Sequence, residues 1–399
     1  MEKILVLNAG STTVKFQLYQ MDENKNEVVT GGVVERIGLE GSKIVVDNTF
    51  TTELPLANHK AAIKAILGYL TQKYLRKASE LAAVAHRMGY GGKYSTSAAI
   101  DADVMQQLYD SIPLIPLHGP AIEKGIKAMQ EIVPSVLQVA VFDTAFHQSI
   151  KKEGYLYALP REYITHDKIR RYGFHGPSHN YVTDLAAKYL GFKGKFICCH
   201  LGGGASVTAV KDGKSVMTTM GYTPMSGIVM STRPGDIDPY IPLHIMKTQQ
   251  KTADEVNAIL NKQSGLYALS GGYTDMRDIL GEAQKGNQQC IFALEAYTYS
   301  LLKAIGAGIA VLGGLDALIF TGGIGEKGTV IRQKLCDKLN YLGLKLDLNA
   351  NSVTPAPTKI SSDDSKIQVL VIPTNEELMM AKEAYAVYMK NTADHRKAI

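Results

Sequence analysis

The chain predicts an α/β fold made of two similar domains, and three observations carry that expectation. Short apolar runs of strand length alternate with longer stretches of helical period. Glycine-rich turns follow several of those runs. One motif also occurs twice: Ile4-Leu5-Val6-Leu7-Asn8-Ala9-Gly10-Ser11 is echoed by Phe196-Ile197-Cys198-Cys199-His200-Leu201-Gly202-Gly203. Each copy is an apolar strand, a polar residue and a small-residue turn, with a second strand to follow. Two copies of one hairpin suggest two domains facing each other across a cleft, with a boundary between about 150 and 195.

The elements follow in order. Ile4 to Leu7 reads as a buried strand and Val14 to Tyr19 as its hairpin partner. His59 to Leu75 has helical periodicity, with Ile63, Ile66, Leu67 and Leu70 on one face. Leu81 to Ala85 and Val136 to Phe142 read as strands. A helix is expected from Ser178, as N-cap, to Leu190, with Gly191 as its stop. The second set begins with strands at Lys195 to His200, Ser206 to Val210 and Ser215 to Thr219, the last two joined by Asp212-Gly213. Cys290 to Leu312 reads as a long apolar helix, Ala317 to Phe320 and Ile367 to Ile372 as strands, and Glu376 to Tyr388 as a closing helix.

Composition excludes several classes. The 399 residues are 45% hydrophobic and 20% charged, which suits a soluble globular protein. The net charge is +5 with scattered basic residues, and no basic run is interleaved with aromatics, so nucleic acid is not an expected partner. No apolar stretch reaches membrane-spanning length, and the four-residue run at Ile4 is too short for a signal peptide. The four cysteines form no C-x-x-C pair and read as buried thiols in a reducing cytoplasm.

Anion-binding groups recur along the chain. In Asn8-Ala9-Gly10-Ser11-Thr12-Thr13-Val14-Lys15 the turn amides can cradle a phosphate and Lys15 adds charge, although the segment also serves as a plain hairpin turn. It has neither P-loop spacing nor a following helix. His200-Leu201-Gly202-Gly203-Gly204 is the second such turn, and Gly322-Gly323-Ile324-Gly325-Glu326 ends a strand ahead of a helix expected near Thr329. Arg87 and Asp143 fall at strand C-terminal ends, where α/β sheets present ligand groups; Asp143 could orient a group, bind metal through water or cap a helix. Arg233 lies in a loop stiffened by Pro234 and Pro239. Asp275-Met276-Arg277 reads as a helix start with an internal ion pair. Arg170-Arg171-Tyr172-Gly173-Phe174-His175-Gly176 places cations and a histidine between glycines.

Taken together these segments resemble the acetokinase family of carboxylate kinases over nearly the whole chain. The resemblance rests on N-A-G-S-T-T-V-K at 8–15, F-D-T-A-F-H-Q at 142–148, R-R-Y-G-F-H-G at 170–176, G-A-S-V at 204–207 and T-P at 223–224. It continues through T-R-P-G-D-I-D-P at 232–239, D-M-R-D-I at 275–279, G-G-I-G-E at 322–326 and P-T-N-E-E-L at 373–378. It implies the actin-like ATPase (ribonuclease H-like) fold, two duplicated α/β domains with an interdomain cleft. Residues 1–150 with a closing helix at about 385–399 would form the N-terminal domain, and 151–384 the nucleotide-binding domain.

The activity implied is reversible phosphoryl transfer between ATP and acetate. A propionate or butyrate kinase of the same fold is the alternative, and a non-catalytic actin-like nucleotide-binding protein the alternative of another class. The resemblance assigns Mg²⁺ (Mn²⁺ as a substitute) to Asn8 and Glu376. It assigns the nucleotide to Lys15, His200, Leu201, Gly202, Gly203, Gly204, Asp275, Met276, Arg277, Gly323, Ile324, Gly325, Glu326 and Lys327. Arg87, Gly89, Leu117, Phe174 and Pro224 would receive the acid, and Asp143, His175 and Arg233 would serve catalysis. A cytoplasmic homodimer is implied as well. The chain departs from the family where its usual H-R-V-V-H-G-G is His86-Arg87-Met88-Gly89-Tyr90-Gly91-Gly92, which enlarges the acyl pocket unless Tyr90 refills it. Gly203 and Lys327 each stand where the family carries asparagine.

Overall fold

In the computed structural model, residues 1–115, 119–352 and 357–397 are described. The chain divides into two units: Met1–Ala145 with Asn375–Ile399, and Phe146–Thr374. The first unit therefore closes with the whole Glu376–Lys397 helix, which begins nine residues before the expected point at about 385. Met380, Ala381 and Ala384 bind that helix to the first unit's core.

Unit 1 holds an eight-stranded sheet of β1 (Glu2–Ala9), β2 (Val14–Met21), β3 (Asn26–Glu35), β4 (Lys43–Val46), β5 (Phe50–Glu53), β6 (Leu81–Met88), β7 (Ala98–Ala99) and β8 (Leu137–Phe142). Their order is β5-β4-β3-β2-β1-β6-β8-β7. β1 is antiparallel to β2 and parallel to β6, which is parallel to β8. Its continuous apolar run has a physical cause, since both faces of the strand are covered. Leu5 and Leu7 join a core with Ile63, Ile66 and Met129, from the helices His59–Lys73 and Gly119–Ile132. Ile4 and Val6 meet the closing helix.

Unit 2 repeats the plan in a six-stranded sheet of β9 (Lys195–Leu201), β10 (Ala205–Lys211), β11 (Lys214–Thr218), β12 (Ala317–Thr321), β13 (Thr358–Lys359) and β14 (Gln368–Val371). Its order, β11-β10-β9-β12-β14-β13, matches β3-β2-β1-β6-β8-β7 strand for strand. The pairing directions match too: β9 is antiparallel to β10 and parallel to β12, and β12 is parallel to β14. The repeated hairpin is thus a repeated topology, and Asn8 and His200 occupy equivalent places. The helix Gly176–Leu190 covers one face through Val182 and Ala186. The helix Gln288–Leu312 lies on the other, where a Cβ on Gly308 would stand 3.1 Å from Ile197.

Two local expectations are corrected. The Gly176–Leu190 helix starts ahead of Ser178, because Pro177 suits a first turn and His175, at φ 60°, takes the N-cap position. Ser178 is inside the helix, with its hydroxyl on His200 Nδ1 at 2.7 Å. The Gly322–Glu326 segment is not an open strand end but a short helix, Gly322–Lys327. Glu326 Oε1 accepts from the Gly322 amide at its start (3.0 Å), and buried Arg332 donates to the carbonyls of Gly325 and Glu326 at its end (2.8 and 2.7 Å).

Candidate functional site

In unit 1 the functional groups gather where parallel strands end. Arg87 and Met88 close β6 opposite Val141 and Phe142 of β8, and the Asp143 amide bonds back to the Met88 carbonyl. This register sets Arg87 beside Asp143. Nε and Nη2 of Arg87 donate to the two Asp143 oxygens at 2.9 and 3.0 Å, a forked pair that fixes the guanidinium plane. Nη2 also donates to Glu376 Oε1 at 3.1 Å. Of the sequence alternatives for Asp143, the arginine-orienting one has this geometry. Among the described residues Nη1 makes no hydrogen bond. Burial works against the charge on Arg87, but Asp143 and Glu376 more than restore it and raise its pKa overall. Burial raises the Glu376 pKa, with Arg87 opposing.

Asn375 caps the closing helix by accepting from the Leu378 amide at 2.9 Å, which sets Glu376 and Glu377 in the first turn. Asn8 and Lys15 face each other across the β1–β2 hairpin, and both line a hollow that includes Glu377. Lys15 is exposed at this hollow. Among the described residues no cluster of three or more His, Cys, Asp or Glu side chains could cage a metal. The oxygen donors present, Asn8 and Glu376, still suit Mg²⁺, which typically takes one or two protein oxygens and completes its shell with water and phosphate. A Cβ on Gly89 would stand 3.6 Å from Ile115, while Tyr90 is buried. Leu117 lies outside the described residues.

Unit 2 carries a pocket of about 370 Å³, within the usual range for small-molecule sites. Gly202 and Gly203 form one wall, Asp275, Met276 and Arg277 a second, and Gly323, Ile324 and Lys327 a third. Ser231, Thr274, Leu280 and Gly328 complete it, and sequence reasoning named none of these four. Asp275 caps the helix Met276–Gln284 by accepting from the Arg277 amide at 2.8 Å, and the Arg277 side chain holds its pKa down to about 2. Other expected residues stand apart from this lining. The Leu201 side chain is fully buried in β9, Gly325 is buried, and Glu326 caps its own helix and the Thr374 amide.

Beside the pocket, the Ser231 amide donates to the Gly203 carbonyl at 3.2 Å and joins the arginine loop to the glycine turn. Arg233 and His175 converge on Gly204: a Cβ there would stand 2.7 Å from Arg233 Nη2 and 3.5 Å from His175 Nε2. Arg233 Nη1 donates to the Pro224 carbonyl at 2.6 Å. Arg233 has no carboxylate partner among the described residues, and burial lowers its pKa. A desolvated, uncompensated guanidinium is a ready receptor for an anion. The His175 ring stacks on His200 with centroids 4.2 Å apart, and its Nδ1 bonds to Ser206 Oγ at 2.9 Å. Phe174 is buried, and its carbonyl bonds to His147 Nε2 at 2.9 Å. The two arginines that precede it are structural. Arg170 stacks on Tyr155, and Arg171 donates to the carbonyls of Thr218, Thr219 and Met220.

Known proteins resemble this chain over nearly its whole length. The family model described as the acetokinase family matches residues 3–382. An acetate kinase of Dictyoglomus thermophilum is 46% identical, with 97% of this chain and 100% of the relative covered. One from Thermotoga maritima is 46% identical over 97% of this chain and 99% of its own. Among solved structures, the acetate kinase of Porphyromonas gingivalis superposes with a TM-score of 0.90 at 37% identity, covering 97% of this chain and 100% of its own. A propionate kinase from Francisella tularensis gives 0.90 at 39% with the same coverage. The fold is accordingly the actin-like one.

Proposed function

The chain belongs to the acetokinase family, and we infer that it transfers a phosphoryl group reversibly between ATP and acetate, giving acetyl phosphate and ADP. The observation that carries this reading is Arg87, oriented by Asp143 and Glu376 with Nη1 left over, in a chain that also carries a glycine-lined pocket of about 370 Å³. A fixed guanidinium edge is what a small carboxylate needs for docking.

Acetate is ionised at neutral pH, so no base is required. One carboxylate oxygen attacks the γ-phosphorus of ATP. The bond from that phosphorus to the β–γ bridging oxygen breaks, and ADP leaves with the electron pair. No proton changes hands, and the obstacle is the approach of two anions. Arg87, Gly89, Leu117, Phe174 and Pro224 are assigned to the acid, Arg87 to its carboxylate. Asp143 is assigned to hold Arg87. Arg233 and His175 are assigned to the transferring phosphoryl group, where preorganised donors act most strongly. The glycine-lined pocket of unit 2 is assigned to the nucleotide, and Lys15 to its phosphate charge.

Asn8 and Glu376 would hold Mg²⁺, which supplies charge neutralisation of the phosphates when bound. The helix Tyr240–Gln249 supports a homodimer, since none of its residues is buried although Tyr240, Ile241 and Leu243 are large and apolar. Four free, buried thiols support a cytoplasmic setting. Among the described residues no helix is long and apolar enough to cross a membrane.

The test is a panel of acetate, propionate and butyrate with ATP and Mg²⁺, read as hydroxylamine-trapped acyl phosphate. Acetate should give the highest kcat/KM. Equal or better values on the longer acids would move the assignment to them, and no hydroxamate with any acid would leave a nucleotide-binding protein without kinase activity.

A further inference from the structure

Unit 2 holds a chain of three groups at the proposed phosphoryl site. Ser206 Oγ lies 2.9 Å from His175 Nδ1 and 2.7 Å from His179 Nε2. Ser206 and His179 are both fully buried. His179 Nδ1 is buried with no hydrogen-bond partner, and Ser206 Oγ has no third partner among the described residues.

A hydroxyl has one proton to donate, which leaves few ways to place the protons. If the hydroxyl donates to His179, the neutral His179 ring carries its own proton on Nδ1, as an orphaned buried N–H. If both histidines donate to Oγ, the hydroxyl proton is orphaned instead. Only the third arrangement avoids a buried unpaired donor. There His179 Nε2–H donates to Oγ, the hydroxyl donates to His175 Nδ1, and the remaining bare nitrogen is an acceptor. Orphaned donors are the rarer and costlier defect. Burial drives the His179 pKa well below its ordinary value, so a doubly protonated ring does not enter.

We propose that His179 and Ser206 hold His175 as the neutral tautomer with its proton on Nε2, the nitrogen that faces Gly204 beside Arg233. His175 then offers a hydrogen bond to the phosphoryl group without reorienting. Ser206 and His179 are positioning residues, one and two bonds removed from the reaction. Their link to turnover rests on the function proposed above, but the tautomer itself does not.

The test is nitrogen NMR of the full chain labelled with ¹⁵N-histidine, with the His175 signals assigned by His175→Asn. The expected spectrum at neutral pH has an N–H signal at Nε2 and a bare-nitrogen signal at Nδ1. Ser206→Ala should mix the tautomers and lower kcat about tenfold, the scale of one lost hydrogen bond, with both KM values within about twofold. Ser206→Thr should recover both readouts. A proton on Nδ1 in the unaltered protein would overturn the proposal, as would a Ser206→Ala spectrum equal to wild type. If Ser206→Ala fails to fold, the unaltered spectrum still decides. Hydroxamate formation, measured separately, tells a failed tautomer assignment from a failed kinase assignment.

Discussion

Replacing Asp143 with asparagine changes one oxygen to an amide nitrogen and removes the negative charge. In the native pair, Arg87 Nε and Nη2 donate to the two Asp143 oxygens at 2.9 and 3.0 Å. Asparagine can accept only one of those bonds, and its NH₂ group faces a guanidinium N–H. One charge-assisted bond is lost, worth about 1.5–3 kcal/mol, and a donor-to-donor contact adds to it, for a total of about 2–4 kcal/mol. At 1.36 kcal/mol per tenfold this is a loss of about 30- to 1,000-fold in kcat/KM for the acid. Arg87 keeps Glu376 at 3.1 Å, so the guanidinium is not left alone and the fold should survive. The assay is acyl hydroxamate against acetate concentration at saturating ATP, with a melting curve beside it. The KM for ATP should stay within about twofold, because Asp143 is assigned to hold Arg87 and the nucleotide to the glycine-lined pocket. A variant that keeps near-normal kcat/KM for acetate would refute the reasoning.

Three further outcomes are expected. Gly204→Ala pushes a methyl to 2.7 Å from Arg233 Nη2, so kcat should fall about tenfold or more, whereas Gly323→Ala meets nothing within 4 Å and should change only the KM for ATP; steady-state rates on both variants check this. Gly89→Val puts its Cβ in ordinary contact with Ile115 and its two γ-methyls into the acyl space proposed here, so the propionate-to-acetate ratio of kcat/KM should fall about tenfold, the scale of one methylene; an unchanged ratio would remove Gly89 from the acyl pocket. Buried His86 and His147 have pKa values lowered to about 4 from 6.5 by desolvation. Between those limits the unfolded chain binds more protons, so stability should fall as pH drops from 6.5 toward 4, by roughly 3 kcal/mol per group. Denaturant melts at pH 7, 5.5 and 4.5 measure it, and a flat series would contradict the assignment of neutral buried rings.

Much of the fold was legible because both sheets are built around strands covered on two faces. β1 and β9 read as unbroken apolar runs for that reason, and their turns repeat. β3, β4 and β5 were missed: β3 is largely exposed or half-buried, carries Gly31 and Gly32, and so shows no alternation. The Gly322–Lys327 helix was hidden by three glycines of low helix propensity, and what holds it, Glu326 and Arg332, acts through the completed fold. Arg87 and Asp143 were legible as strand-end residues. Their link to Glu376 was not, since 289 positions separate it from Arg87 and only the closing helix brings it back. The Ser206 bridge was not legible either, since Ser206 lies on β10, 31 positions from His175 and 27 from His179.

The central claim is that a carboxylate oxygen attacks the γ-phosphorus, and oxygen labelling tests it most directly. With [¹⁸O₂]acetate, ATP and Mg²⁺, phosphorus NMR should find acetyl phosphate whose bridging oxygen is ¹⁸O, formed one for one with ADP. ADP accompanied only by unlabelled inorganic phosphate, with no acyl phosphate, would contradict it.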